Sequence, residues 1–212
     1  MEELINNLIK QGYLKTPLVI EAFRKIKRED FVLEEYKNEA AINTPLPIGY
    51  GQTISQPLTV AFMLELLQPQ PGEKILDIGS GSGWQTALLA YCVKPKGKIF
   101  ALEIIPELME FGKENVAKYN FLEQGVVEFI SANGSKGYPN IVARPELVEG
   151  FDKIIVAAST QKLPEEWKKQ LKINGRIVVP IKQSIWLLIK KSEDVFEKHE
   201  FPGFVFVPLI YD

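Results

Sequence analysis

Cysteine and histidine are nearly missing from this chain, which holds one of each, Cys92 and His199, in 212 residues. A lone cysteine excludes any disulfide within the chain. Its place in the apolar run WQTALLAYCV marks it as core and points to a reducing, cytoplasmic setting. The single histidine lies in the charged segment EKHE and reads as decoration of a turn. No cluster of ligands for a metal is legible. A surplus of positive charge is missing too: 25 Lys and Arg stand against 27 Asp and Glu, a formal net charge of -2. That balance argues against a broad phosphate-binding face, so no nucleic-acid partner is expected. No stretch reaches the ~18 apolar residues of a membrane span. The opening MEELINNLIKQGYLK is acidic and amphipathic rather than basic then oily, so neither a membrane partner nor a targeting segment is expected. Internal repeats and low-complexity tracts are likewise absent.

What is present is an ordinary globular composition, 46% hydrophobic and 25% charged. One domain over 1-212 is expected, with residues 1-70 as a helical cap and substrate segment and 71-212 as a sheet ending in a strand pair. Leu4, Ile5, Leu8 and Ile9, then Val19, Ile20, Phe23 and Ile26, carry helical spacing, with Thr16-Pro17 opening the second helix. The polar segment GYGQTISQP then runs into a helical pattern over Leu58 to Leu67. From KILDI onward, short apolar runs alternate with helical patterns: WQTALLAYCV, KIFALEI, PELMEFGKENVAKY, VVEFI, KIIVAA, PEEWKKQLK, GRIVVPI. Strand alternating with helix is the signature of an α/β fold, a mostly parallel sheet with helices on both faces. SIWLLIKK and FVFVPLIYD break that rhythm and read as an antiparallel pair at one edge, joined by a short charged link.

The strand KILDI is followed by Gly79, Gly81 and Gly83, and then by a helix from Trp84. Glycines at such a turn let backbone approach a ligand, and the helix start offers free N–H groups. The spacing is not the G-x-G-x-x-G of dinucleotide sites, because Trp84 occupies the third glycine's place. It is D-x-G-x-G-x-G, and the carboxylate of Asp77 would repel a pyrophosphate while suiting an ammonium or sulfonium group. S-adenosyl-L-methionine has both. Glu103 ends the second strand 20 residues past Gly83, where an acidic side chain can accept hydrogen bonds from two ribose hydroxyls. Asn133, in the loop SANGSKGY, has an amide suited to an adenine edge, and Asn-Gly turn chemistry explains it equally well. Blander readings stand beside the others: Asp77 tying loop amides together, Glu103 in solvent.

Taken in order, PLPIGYGQTISQP, ILDIGSGSGW, LEIIPEL, SANGSKGY, FDKIIVAAS and FVPLI make the chain resemble the protein-L-isoaspartate O-methyltransferase family over nearly its whole length. GQTIS is the most specific part, since class I methyltransferases in general share the glycine loop. The resemblance implies a seven-stranded, Rossmann-like sheet whose last two strands exchange places relative to most class I methyltransferases. It implies methyl transfer from S-adenosyl-L-methionine, leaving S-adenosyl-L-homocysteine, to the free carboxylate of L-isoaspartyl and D-aspartyl residues. The partners would be damaged proteins and peptides, and the protein would work as a monomer. Ser55 would sit beside the methyl in transit, with Gln52 and Thr53 shaping the same wall, and Ser55 and Asp77 would be the catalytic residues. Cofactor contacts would come from Asp77, Gly79, Ser80, Gly81, Gly83, Glu103, Ile104, Asn133 and Gly134, and acceptor contacts from Ser55, Leu58 and the backbone near Val207. Ser55 could also cap the helix that follows.

Departures from the family pattern are visible. Gln56 and Leu58 stand where relatives commonly have alanine and histidine, Asn133 replaces an aspartate, and PNIVARPELVEG is a lengthened connection that reads as surface decoration able to rim the cleft. The acceptor carboxylate, with a pKa near 4, arrives ionised, so no general base is required. The same fold admits two other readings, a methyltransferase acting on a small molecule or RNA, and a cofactor-binding interaction protein without turnover.

Overall fold

The computed structural model describes residues 1–139, 141–147 and 149–211. Two amphipathic helices open the chain, α1 (Glu2–Lys10) and α2 (Pro17–Lys25). GYGQTISQP then forms a hairpin, β1 (Leu46–Gly49) paired antiparallel with β2 (Gln52–Ile54). Tyr50 and Gly51 both have positive φ, 53° and 71°, the backbone a two-residue hairpin turn demands. Helix α3 (Pro57–Leu67) follows at once. Its N-cap residue is Gln56 with no side-chain cap bond, so Ser55 does not cap it. Next come β3 (Lys74–Ile78), α4 (Trp84–Val93), β4 (Lys98–Glu103), α5 (Pro106–Ala117), β5 (Val127–Ser131) and β6 (Phe151–Val156). Helices α2, α3 and α5 start on proline, whose missing N–H is harmless in a first turn.

The chain closes with α6 (Glu165–Lys169), β7 (Leu171–Ile181), β8 (Ser184–Lys190) and β9 (Phe196–Pro202). The seven-stranded sheet runs β5-β4-β3-β6-β7-β8-β9, parallel through β7 and antiparallel for β8 and β9, with the last two strands in chain order. One expectation is corrected: the partner of β8 is the charged segment FEKHEFP, not FVFVPLIYD. His199 therefore lies on a strand, opposite Leu187, rather than at a turn. An edge strand has only one pairing side and needs no apolar face, and FEKHEFP accordingly carries no alternation by which to read it. The tail FVFVPLI instead crosses the end of the sheet, where Ser159 N donates to Val207 O and Leu209 N donates to Ser159 O.

Strand alternation sorts the two faces. Ile75, Ile99, Ala101, Ile155 and Val178 join the core built with helices α1 to α5, whereas Leu76, Ile78, Phe100, Leu102, Ile154 and Val156 join a second core with Tyr138, Phe151 and Trp167. The second face is covered by the five residues of α6 and by short 3-10 turns. The lengthened connection packs at the amino end of the sheet: Arg144 binds Glu128 with two hydrogen bonds, at 3.0 and 2.7 Å, and Leu147 is fully buried. None of its described residues lines the cleft. Among the described residues no helix is long and apolar enough to cross a membrane.

Candidate active site

The chain runs β3 to β4 to β5 in one direction and then returns to place β6 on the other side of β3. The crevice this leaves at the carboxyl ends of the strands is where open α/β sheets bind ligands. A cavity of about 810 Å³, counting its part open to solvent, lies there. Of the residues expected from sequence, Gln52, Thr53, Ser55, Gly79, Ser80, Gly81, Glu103, Ile104, Gly134 and Val207 line it. The hairpin, the glycine loop, the end of β4, the turn after β5 and the tail thus converge on one space.

Glu103 is held by backbone. Its Oε2 accepts from Gly81 N at 2.9 Å, and its Oε1 accepts from Ile104 N at 2.9 Å and Ile105 N at 3.1 Å. It is not in bulk solvent, being 6% exposed. Among the described residues it is also the only charged side chain of the lining, with no lysine or arginine there to meet a phosphate. Two further side chains carry unused hydrogen-bonding capacity, since Ser80 Oγ and Trp84 Nε1 are buried with no partner among the described residues, and both residues line the cavity. Trp84 was read from sequence only as the start of a helix. No spacing rule could have revealed its orphan donor.

Four expected residues stand elsewhere. Asp77 lies on the helical face of β3, its Oδ1 accepting from Gln85 Nε2 at 2.8 Å and its Oδ2 from Thr86 Oγ1 at 2.6 Å, and it does not line the cavity. It ties the strand to α4 beneath the loop rather than tying loop amides. Gly83 packs helix on helix: a Cβ there would lie 2.7 Å from Gly112 O. Asn133 accepts from Ser135 N at 2.9 Å and orders the turn whose Gly134 faces the cavity. Leu58 packs against the core, and its neighbours Gln56 and Thr59 instead line a second depression.

Burial pushes the Asp77 carboxyl up to about 6, against the pull of its Thr86 and Gln85 hydrogen bonds, and the Glu103 charge acts in the same sense as burial. Its folded pKa thus exceeds its unfolded one, so the folded state holds the extra proton. Stability falls as pH rises between about 3.8 and 6 and stays at its lower level above that. Asp77→Asn, able to accept from Gln85 and donate to Thr86, is expected to exceed the parent in stability by about 2 kcal/mol at pH 7.5, the advantage vanishing towards pH 4. Melting curves across that range test this; equal midpoints at pH 7.5 would contradict a buried ionised carboxylate.

A second depression adjoins the cavity, lined by Pro45, Thr53, Ser55, Gln56, Thr59, Ala157, Val205, Phe206 and Val207. Thr53, Ser55, Ala157 and Val207 line both spaces, so they form the junction between them. Among the described residues no charged side chain lines this groove.

The model of the protein-L-isoaspartate(D-aspartate) O-methyltransferase family matches residues 1–212. The chain belongs to this family. It is 39% identical to the protein-L-isoaspartate O-methyltransferase of Methanopyrus kandleri, over 99% of this chain and 90% of that protein. It is 42% identical to that of Ignicoccus hospitalis, over 98% and 96%. Among solved structures, a Plasmodium falciparum chain described as a protein-L-isoaspartate O-methyltransferase in complex with S-adenosyl-L-homocysteine superposes with a TM-score of 0.85 at 27% identity, covering 98% of this chain and 97% of that one. The family's seven-stranded sheet is thus the sheet found here.

Proposed function

We propose that the protein transfers a methyl group from S-adenosyl-L-methionine to the free carboxylate of L-isoaspartyl and D-aspartyl residues in damaged proteins, the first step of their repair. One observation carries this reading beyond family membership: a cavity whose only charged lining residue, among those described, is a carboxylate opens at Ser55 onto a groove where no described side chain is charged. The first space suits a cationic nucleotide and disfavours a pyrophosphate. The second offers neither a base nor a repelling carboxylate to an incoming anion.

The residues divide the work accordingly. Glu103, fixed by three amides, presents its carboxylate to the ribose hydroxyls, and Ser80 and Trp84 supply the donors their burial leaves unspent. Gly79, Gly81 and Gly134 allow backbone to close on the nucleotide, with Ile104 beside the adenosine and Gln52 and Thr53 on the wall opposite. Asp77 acts behind the loop, by holding α4. Bound S-adenosyl-L-methionine supplies a methyl on a cationic sulfur, which the carboxylate oxygen takes as the carbon–sulfur bond breaks and S-adenosyl-L-homocysteine leaves. The acceptor arrives ionised, so the chain must align the reacting atoms and exclude water. Ser55 does the first at the junction, and the tail around Val207 does the second while offering backbone to an extended peptide.

We further propose that the chain acts as one domain and as a monomer in the cytoplasm, with 1-70 supplying the acceptor side and 71-212 the cofactor side. Among the described residues the groove offers no lysine or arginine to an RNA phosphate. The test is a radiolabelled methyl assay on matched isoaspartyl and aspartyl peptides. Labelling of the isoaspartyl peptide alone is expected; equal labelling, or none, would overturn the reading.

A further inference from the structure

The chemistry above leaves Arg28 unexplained. It lies in a short turn after α2 (Arg28–Phe31) and is fully buried. Burial of a guanidinium is expensive unless a carboxylate meets it. Here no carboxylate among the described residues does, and desolvation pushes Arg28 down to about 10, still protonated at neutral pH. Its hydrogen bonds all go to backbone carbonyls: Nη1 donates to Ala40 O at 3.1 Å and Ile42 O at 3.2 Å, and Nη2 donates to Thr44 O at 2.8 Å and Ser55 O at 3.1 Å. Its Cζ also lies 5.4 Å from the ring centroid of Trp84, in the wall of the nucleotide cavity. One side chain thus touches the segment leading to Pro45 in the groove, the junction residue Ser55, and the cofactor wall.

We infer that Arg28 is a positioning residue of the methyl transfer, fixing the backbone at Ser55 and the groove segment before it against the cofactor wall at Trp84. This rests on the function proposed above. Four carbonyls spread around one planar fork fit a guanidinium, and the point charge of a lysine cannot span them. The burden of an unpaired buried cation is borne where the wall must be held in one place, at the meeting of acceptor and donor.

Arg28→Lys keeps the charge and loses the fork, and Arg28→Gln loses both. Each is measured as folded protein, below its melting transition, for turnover of an isoaspartyl peptide, for calorimetric binding of S-adenosyl-L-homocysteine, and for hydrogen exchange with that product bound. For Arg28→Lys, kcat is expected to fall and the peptide KM to rise, each on the order of tenfold, while the Kd of S-adenosyl-L-homocysteine stays within about threefold. Amides of residues 40 to 56 should exchange faster, and those of β3 and β4 as in the parent. Unchanged kcat and KM would overturn the assignment. So would a cofactor affinity that falls as far as turnover, or the failure of both variants to fold, which would make Arg28 a support of the whole fold. If the parent itself left isoaspartyl peptides unmethylated, the proposed function would fail, while the exchange comparison would still decide whether Arg28 holds this wall.

Discussion

Ser55→Ala is expected to lower kcat on isoaspartyl peptides by about a hundredfold while changing the Kd of S-adenosyl-L-homocysteine by less than about threefold. Ser55 lines both the cavity and the adjoining groove, the proposed nucleotide and acceptor spaces, and its backbone carbonyl is already held by Arg28. Its backbone position is therefore set independently of its hydroxyl, and truncation should leave the wall in place. What is lost is the polar contact at the point where carboxylate and methyl meet, a contact needed when the acceptor is aligned and not when the product nucleotide rests in its cavity. Such a loss appears in turnover rather than in nucleotide affinity. Stopped-flow turnover and calorimetry on the same preparation separate the two. A variant with unchanged kcat would remove Ser55 from the reaction, and one with nucleotide affinity reduced as far as its rate would place it in the nucleotide site alone.

Gly112→Ala carries the second large effect, and its sign runs against intuition. In the middle of a helix this change normally gains about 1 kcal/mol. Here α5 lies against the glycine loop, and a Cβ at Gly112 would stand 2.6 Å from Gly81 O and 3.2 Å from Phe129 Cε1. The first is backbone and cannot swing aside. Either the helix retreats, or the loop moves and Gly81 N loses Glu103. A net destabilisation of about 2 kcal/mol is expected, which for a chain of this size lowers Tm by roughly 4–8 °C. Affinity for S-adenosyl-L-homocysteine should fall by at least about tenfold, because the displaced backbone is the one that closes on the nucleotide. A melting point at or above the parent's would show that α5 gives way freely.

The sequence was legible where one residue's neighbours decide its structure. The boundaries of β3 and α4 follow from KILDI, three glycines and the run from Trp84, and both stand where they were expected. The expected Glu103 carboxylate ends its strand and faces the cavity. Legibility failed where the deciding partner is distant in the chain. Asp77 was expected at the ligand from its charge two residues before the glycines, whereas the structure sets it toward α4, where Gln85 and Thr86 donate to it. FVFVPLIYD has strand composition, yet the place beside β8 goes to FEKHEFP and the tail becomes a strap. Nothing in the residues flanking Gly112 or Arg28 marks either one out. Their importance lies in Gly81 and in four carbonyls, none of them adjacent in sequence.

The outermost strand β9 exposes Glu197, Lys198, His199 and Glu200 in succession along the open rim of the sheet. For an enzyme proposed to act on proteins carrying isoaspartyl residues, such a rim matters. A loose segment seeking a template for pairing meets charged side chains of both signs there, which disfavour edge-to-edge pairing with the sheet.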